Sequence, residues 1–296
     1  MLTPTRTADI FARGLRFGES PRWHDGRLWF SDLYERAIFS VGPDAELRRE
    51  VDVPAQPSGL GWLPDGRLLF VSMTELKVLR REHDGSIVEH GDVSPWSVFM
   101  ANDMIVSKEG RAYVGNFGYI PGGWDDPPEV VRTTSLVRVD PDGSVSEAAS
   151  DIEFPNGAAI FPDGRTLVIG ETRGFRLTAF DVAADGTLSN RRVWAQLPAY
   201  GEKDAIGPDG GCLDAEGAFW VANALGSECV RVEEGGRILE RVQTSQTCFA
   251  CMLGGEDRRT LYCITGPPHS GSPDEAPEKD GLIESIRVEV PGAGWP

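Results

Sequence analysis

Glu19, Asn102, Asn156 and Asp209 are the side chains of this sequence best suited to chemistry. Each carries a carboxylate or carboxamide oxygen, and Gly or Pro flanks nearly all of them, as in Gly18-Glu19-Ser20-Pro21, Pro155-Asn156-Gly157 and Pro208-Asp209-Gly210. Oxygen-only ligands with about two negative charges suit a hard divalent cation, calcium before zinc, magnesium or manganese. A cation held this way can polarise a carbonyl or activate a water. A neighbouring carboxylate can serve as general base. That set fits hydrolysis of an activated ester, above all a lactone. Any one of these residues alone reads as a strand-starting turn residue. Their shared position in a repeat is what makes them a site.

The repeat is a short hairpin. Its turns fall at Asp25-Gly26, Asp65-Gly66, Glu109-Gly110, Asp163-Gly164, Glu216-Gly217 and Asp257-Arg258, spaced 40, 44, 54, 53 and 41 residues apart. An apolar run follows each turn, for example Leu68-Leu69-Phe70-Val71, Leu167-Val168-Ile169 and Phe219-Trp220-Val221. A second hairpin often follows the first, as from Leu136 to Val145 and from Leu177 to Leu188. Two hairpins make four strands per unit. A four-stranded sheet cannot bury both faces alone, whereas six of them in a ring can. The chain is therefore expected to be an all-β, six-bladed β-propeller with four-stranded blades, one domain over residues 1–296. Residues Ile10 to Leu15 are expected to close the ring by adding an outer strand beside Leu282 to Val290, which removes an exposed edge.

Counting seven residues back from each turn acid reaches Ser58, Asn102, Asn156, Asp209 and Ala250. In the first unit Glu19 lies six back, one residue out of register. First strands of propeller blades line the central channel, so these positions form one ring around the axis. Loops that precede first strands or follow second strands open on the same face as the ring. Three long insertions are of those kinds: Ile120 to Thr134, Leu197 to Pro208 and Pro267 to Asp280. Long loops over one mouth and tight turns at the other suit an enclosed site. Asp32, Asn116, Glu171 and Asn223 end second strands and are expected at the same mouth. Met100, Tyr119, Trp124 and Glu171 are the expected substrate contacts, beside Asn102.

Composition narrows the choice further. Asp and Glu total 46 against 29 Lys and Arg, a net charge of −17, which argues against nucleic acid and anionic membranes as partners. No stretch approaches the roughly 18 apolar residues of a membrane span. The N-terminal segment lacks the apolar run of a signal peptide. With five cysteines, an odd number, a reduced cytoplasm and buried core thiols are expected rather than disulfides. His24, His83, His90 and His269 all fall outside the ring, and Gly-x-Ser-x-Gly is absent, which disfavours a serine hydrolase. No phosphate-binding or dinucleotide fingerprint occurs.

Gly18-Glu19-Ser20-Pro21-Arg22-Trp23, Asn102-Asp103, Pro155-Asn156-Gly157 and Pro208-Asp209-Gly210-Gly211-Cys212-Leu213-Asp214 carry a resemblance. Over nearly its whole length the chain resembles the senescence marker protein / gluconolactonase / luciferin-regenerating enzyme family of six-bladed propellers. The resemblance implies one divalent metal on Glu19, Asn156 and Asp209, with Asp209 as general base. It implies contact of Asn102 with substrate or with water on the metal. Sugar-lactone members tend to carry Arg two residues before this Asn; Met100 stands there instead. An aryl or alkyl lactone is therefore favoured over a sugar lactone, the alternative being that Met100 is packing and another arginine, such as Arg173, supplies the cation. A phosphotriester substrate and a non-catalytic metal-binding scaffold are the competing readings.

Overall fold

The computed structural model describes residues 5–97, 99–118, 133–267 and 276–294. Among these residues there is no helix, and the strands form six sheets. Two short strands come first, β1 (Thr5–Thr7) and β2 (Asp9–Leu15). Blade 1 holds β3 (Gly18–His24), β4 (Arg27–Asp32), β5 (Ala37–Val41) and β6 (Leu47–Asp52). Blade 2 holds β7 (Pro57–Trp62), β8 (Leu68–Ser72), β9 (Lys77–Arg81) and β10 (Ile87–Asp92). Blade 3 holds β11 (Ala101–Val106), β12 (Ala112–Asn116), β13 (Thr134–Val139) and β14 (Val145–Ile152). Blade 4 holds β15 (Pro155–Ile160), β16 (Thr166–Glu171), β17 (Arg176–Val182) and β18 (Leu188–Gln196). Blade 5 holds β19 (Pro208–Leu213), β20 (Phe219–Asn223), β21 (Glu228–Val232) and β22 (Ile238–Gln243). Blade 6 holds β23 (Thr247–Gly254), β24 (Thr260–Gly266) and β25 (Gly281–Arg287), completed by β2. This is a six-bladed β-propeller with four-stranded blades.

The core lies between blades rather than inside any one of them. Leu60, Phe70 and Leu79 of blade 2 meet Ile38 and Val51 of blade 1. Ile105 and Tyr113 of blade 3 meet Ile160, Leu167 and Phe180 of blade 4. Strands second from the axis are covered on both faces, so they read as unbroken apolar runs; β8, β12 and β20 are buried at every position. Outer strands such as β18 expose most of their residues.

Ring closure follows the expectation and then exceeds it. Strand β2 pairs antiparallel with β25, Ile10 opposite Glu284 and Arg13 opposite Leu282. The unexpected part is β1, which pairs parallel with β22, Thr5 opposite Arg241 and Thr7 opposite Gln243. One short segment thus straps blade 5 to blade 6 across their outer edges. The three residues of β1 carry no apolar alternation that could have announced a strand.

The one-residue offset of Glu19 has a local cause. In blade 1, His24 pairs with Arg27 across a two-residue turn, and both Asp25 (φ 47°) and Gly26 (φ 73°) are left-handed. In blade 2, Leu63 bonds to Arg67 across Pro64-Asp65-Gly66, a three-residue loop with only Gly66 left-handed (φ 86°). Blades 3 and 5 repeat the longer loop, from Ser107 to Arg111 and from Asp214 to Ala218. The blade 1 loop is shorter by one residue, so the acid stands one position earlier. Measured from the strand end, Glu19 is in register with Ser58, Asn102 and Asp209.

Candidate metal centre

Every inner strand breaks its ladder register at the ring position. The shifts lie between Glu19 and Arg22, Pro57 and Leu60, Ala101 and Met104, Pro155 and Ala158, Pro208 and Gly211, and Cys248 and Ala250. An irregularity of this kind re-aims a side chain and steepens the local twist. Small residues let the bent strands come together. A Cβ added at Gly157 would stand 2.3 Å from the Asp209 carbonyl oxygen, and one at Gly210 would stand 2.5 Å from the Ala250 Cβ. The Gly that flanks each ligand candidate is thus a contact requirement between blades.

The ring side chains are buried and linked in sequence around the axis. Ser20 Oγ meets Ser58 Oγ at 3.3 Å, and Ser58 Oγ donates to Asn102 Oδ1 at 3.4 Å. Asn102 Nδ2 donates to Asn156 Oδ1 at 3.2 Å. Asn156 Nδ2 donates to Thr172 Oγ1 at 3.1 Å, which passes the chain on to the Pro208 carbonyl at 2.8 Å. The path runs from blade 1 to blade 5 and ends beside Asp209. Thr172 is a member that residue spacing did not reveal; it follows the last residue of β16 and is fully buried.

Electrostatics single out Glu19 and Asp209. Burial pushes the Asp209 carboxyl up to about 8, the Asp103 charge adds to this, and the Gly210 N–H and Asn156 amide oppose it. Burial, then the charges of Asp209 and Asp103, raise Glu19 well above the usual carboxylate range. Two carboxylates repelling one another in a buried ring fit a cation between them. The nearby guanidinium is that of Arg22, already 3.0 Å from Asp103. Among the described residues no three His, Cys, Asp or Glu side chains are arranged to hold a metal. Glu19, Asp209 and the carboxamide of Asn156 are the oxygen donors at this centre that could hold a hard cation.

The mouth above the ring is aromatic. Phe17 sits 4.7 Å from Phe249 and 6.3 Å from Tyr34, ring centre to ring centre. On the other side Phe117 sits 4.7 Å from Phe154 and 6.1 Å from Phe99. Phe99 (φ 72°), two residues before β11, and Phe154 (φ 60°), one before β15, hold left-handed backbone. That conformation is strained for bulky residues and clusters at functional sites. Met100 is buried in the apolar cluster between blades 2 and 3, with Phe99 and Phe117 against it. Tyr119 and Trp124 lie outside the described residues.

Side chains at the second-strand ends are buried and hydrogen-bonded. Glu171 is fully buried; it takes hydrogen bonds from Arg176 (2.6 Å), Thr178 (2.5 Å) and Arg191 (3.1 Å). Asp32 accepts the N–H groups of Arg16, Phe17, Tyr34 and Glu35. Asn223 bridges Gly207, Ala205 and Glu228. These buried side chains tie crossover segments to their blades, because a loop end leaves backbone groups that need partners. Glu171, an expected substrate contact, is thus held among arginines beside its strand end. The five cysteines are buried and free, as expected of core thiols.

A sequence profile described as the SMP-30/Gluconolactonase/LRE-like region matches residues 17–266. The chain belongs to this family. Among family relatives, regucalcin of Xenopus laevis is 27% identical over 96% of this chain and 91% of its own length. The 6-deoxy-6-sulfogluconolactonase of Pseudomonas putida is 25% identical over 94% of each chain. Pentonolactonase XacC of Haloferax volcanii is 27% identical over 100% of this chain and 97% of its own. In three dimensions a luciferin-regenerating enzyme superposes with a TM-score of 0.79 at 20% identity, covering 97% of both chains. Regucalcin from Agrobacterium tumefaciens, described as a calcium-binding protein, reaches 0.77 at 19% identity, covering 99% of this chain and 97% of its own. At these identities the superpositions establish the shared fold.

Proposed function

We propose that this chain is a lactonase that opens a cyclic ester at the loop-rich mouth, acting as one domain, with one divalent cation, calcium first, held by Glu19, Asn156 and Asp209. The observation that carries the reading is the buried carboxylate pair Glu19 and Asp209, with Asn156 hydrogen-bonded between Asp209 and Asn102, in a chain of this family. The bound cation would polarise the lactone carbonyl and make water a stronger nucleophile. Asp209 takes the proton from the attacking water. Asn102 orients the substrate through its amide, itself fixed by Ser58 and Asn156. The surrounding phenylalanines exclude bulk water and receive the apolar part of the ring.

An aryl or alkyl lactone is the favoured substrate, since Met100 and the flanking Phe99 and Phe117 offer no cationic hook for a polyol. Two relatives whose names specify sugar lactones make a sugar lactone the second reading. Five free buried thiols fit a reducing cytoplasm as the working compartment. The deciding experiment is a panel of dihydrocoumarin, an alkyl lactone and glucono-δ-lactone, run with chelator and after calcium is restored. The expected result is a kcat/KM at least about tenfold higher for dihydrocoumarin than for the sugar lactone, lost on chelation and regained with calcium. Full activity in a metal-stripped enzyme would overturn the mechanism.

A further inference from the structure

The face opposite the metal centre, where the tight turns lie, holds a cavity of about 410 Å³ around the other end of the channel. Arg22 borders it from inside; Trp23, Trp62, Leu60 and Ile105 form its walls; Arg258 stands at its rim. The volume lies in the range of small-molecule pockets. Arg22 is 3% exposed and donates to Asp103, Met104 and Pro21, which leaves its buried Nε with no acceptor. An unsatisfied buried donor of this kind is uncommon and points to a missing partner. Trp62 is held as a wall by His24, stacked on it at 3.8 Å with the planes 10° apart.

Arg258 supplies a second, independent observation. It occupies the turn of blade 6 in left-handed backbone (φ 57°), where Gly26, Gly66, Gly110, Gly164 and Gly217 serve in the other turns. Glycine adopts that conformation freely; an arginine is strained there. Its guanidinium makes no ion pair among the described residues, although the chain carries an excess of acids. Two carboxylates stand nearby: Asp103 is paired with Arg22, and Asp25 borders the cavity with its side chain 87% exposed and 3.4 Å from His24.

We propose that this lower cavity is a binding site for a small aromatic carboxylate, its flat ring between Trp62 and Ile105 and its anionic end toward Arg22 and Arg258. The site is separate from the metal centre and its occupancy does not require catalysis. The test is a ligand-observed NMR titration of the intact protein with 3-phenylpropionate, with 3-phenylpropanol as the uncharged control. The carboxylate is expected to bind saturably, about tenfold or more tighter than the alcohol. Arg258→Glu, a substitution at a half-buried turn position, is expected to weaken binding at least about tenfold, and Trp62→Ala to abolish it. Asp209→Asn is expected to leave it unchanged. Circular dichroism checks the fold of each variant, and Arg258→Glu alone decides if Trp62→Ala does not fold. Equal binding of acid and alcohol, no saturable binding of the acid, or binding that survives Arg258→Glu but is lost in Asp209→Asn overturns the proposal; the last outcome would place the probe at the metal centre.

Discussion

At the scale of single residues, burial disfavours the charged forms of Glu19 and Asp209, the proposed cation ligands. Removing one charge relieves the repulsion, so Asp209→Asn is expected to lower lactone hydrolysis by at least about a thousandfold while raising the unfolding midpoint measured in chelator. A variant that loses both activity and metal-free stability would show that Asp209 is structural. Glu171 behaves oppositely. Burial alone would raise its carboxyl, but hydrogen bonds from Arg176, Thr178 and the Glu153 N–H outweigh this and lower it. Its stabilisation is therefore complete above the unfolded value of about 4.3 and is lost as pH falls through the lower folded value. Its partners are partly exposed, Arg176 at 22% and Arg191 at 34% of their side chains. Glu171→Gln is then expected to destabilise by about 2 kcal/mol at pH 7. Urea unfolding at a series of pH values should show the gap between variant and parent narrowing below about pH 4.

At the scale of elements, two junctions dominate. Strands β15 and β19 approach so closely that Gly157 admits no side chain. Gly157→Ala is expected to force them apart and to cost about 1–3 kcal/mol, with weaker divalent-cation binding in a calorimetric titration. Unchanged affinity would mean that the inner strands tolerate the shift. The second junction is the N-terminal strap. Deleting residues through Ala8 removes β1 from the edge of blade 5, and a modest drop in thermal midpoint is expected. Deleting through Leu15 also strips β2 from blade 6 and exposes the β25 edge. Loss of a single cooperative transition and aggregation are expected, read by scanning calorimetry and light scattering.

At the scale of the whole molecule, the propeller brings residues from distant blades to one axis, where the charge of Asp209 acts on Glu19. A divalent cation that binds only the folded state should stabilise it by RT ln(1 + [L]/Kd), about 2.7 kcal/mol at a hundredfold excess over Kd. Calcium titrated into chelated protein is expected to raise the thermal midpoint progressively, and the response should vanish in Glu19→Gln. A midpoint indifferent to calcium, magnesium and manganese alike would leave the proposed centre without a ligand.

The sequence alone determined the blade number, the four-stranded units and the ring of oxygen donors. Each is written in local patterns: acid-Gly turns, apolar runs buried on both faces, and constant offsets from turn to ring. Even the offset of Glu19 was visible, although its cause, a turn shorter by one residue, needed backbone dihedrals. Tertiary structure decided what those patterns do not encode. Glu171 is legible as the end of a strand, but the arginines at positions 176 and 191 that reach back to it are not. The β1 strap has no periodicity of its own and exists only because an edge of blade 5 stands free beside it. Phe17, Phe249, Phe99 and Phe154 come together around one mouth through ring closure, which no linear spacing records. Local propensity specifies elements; contacts between blades that are remote along the chain specify the site.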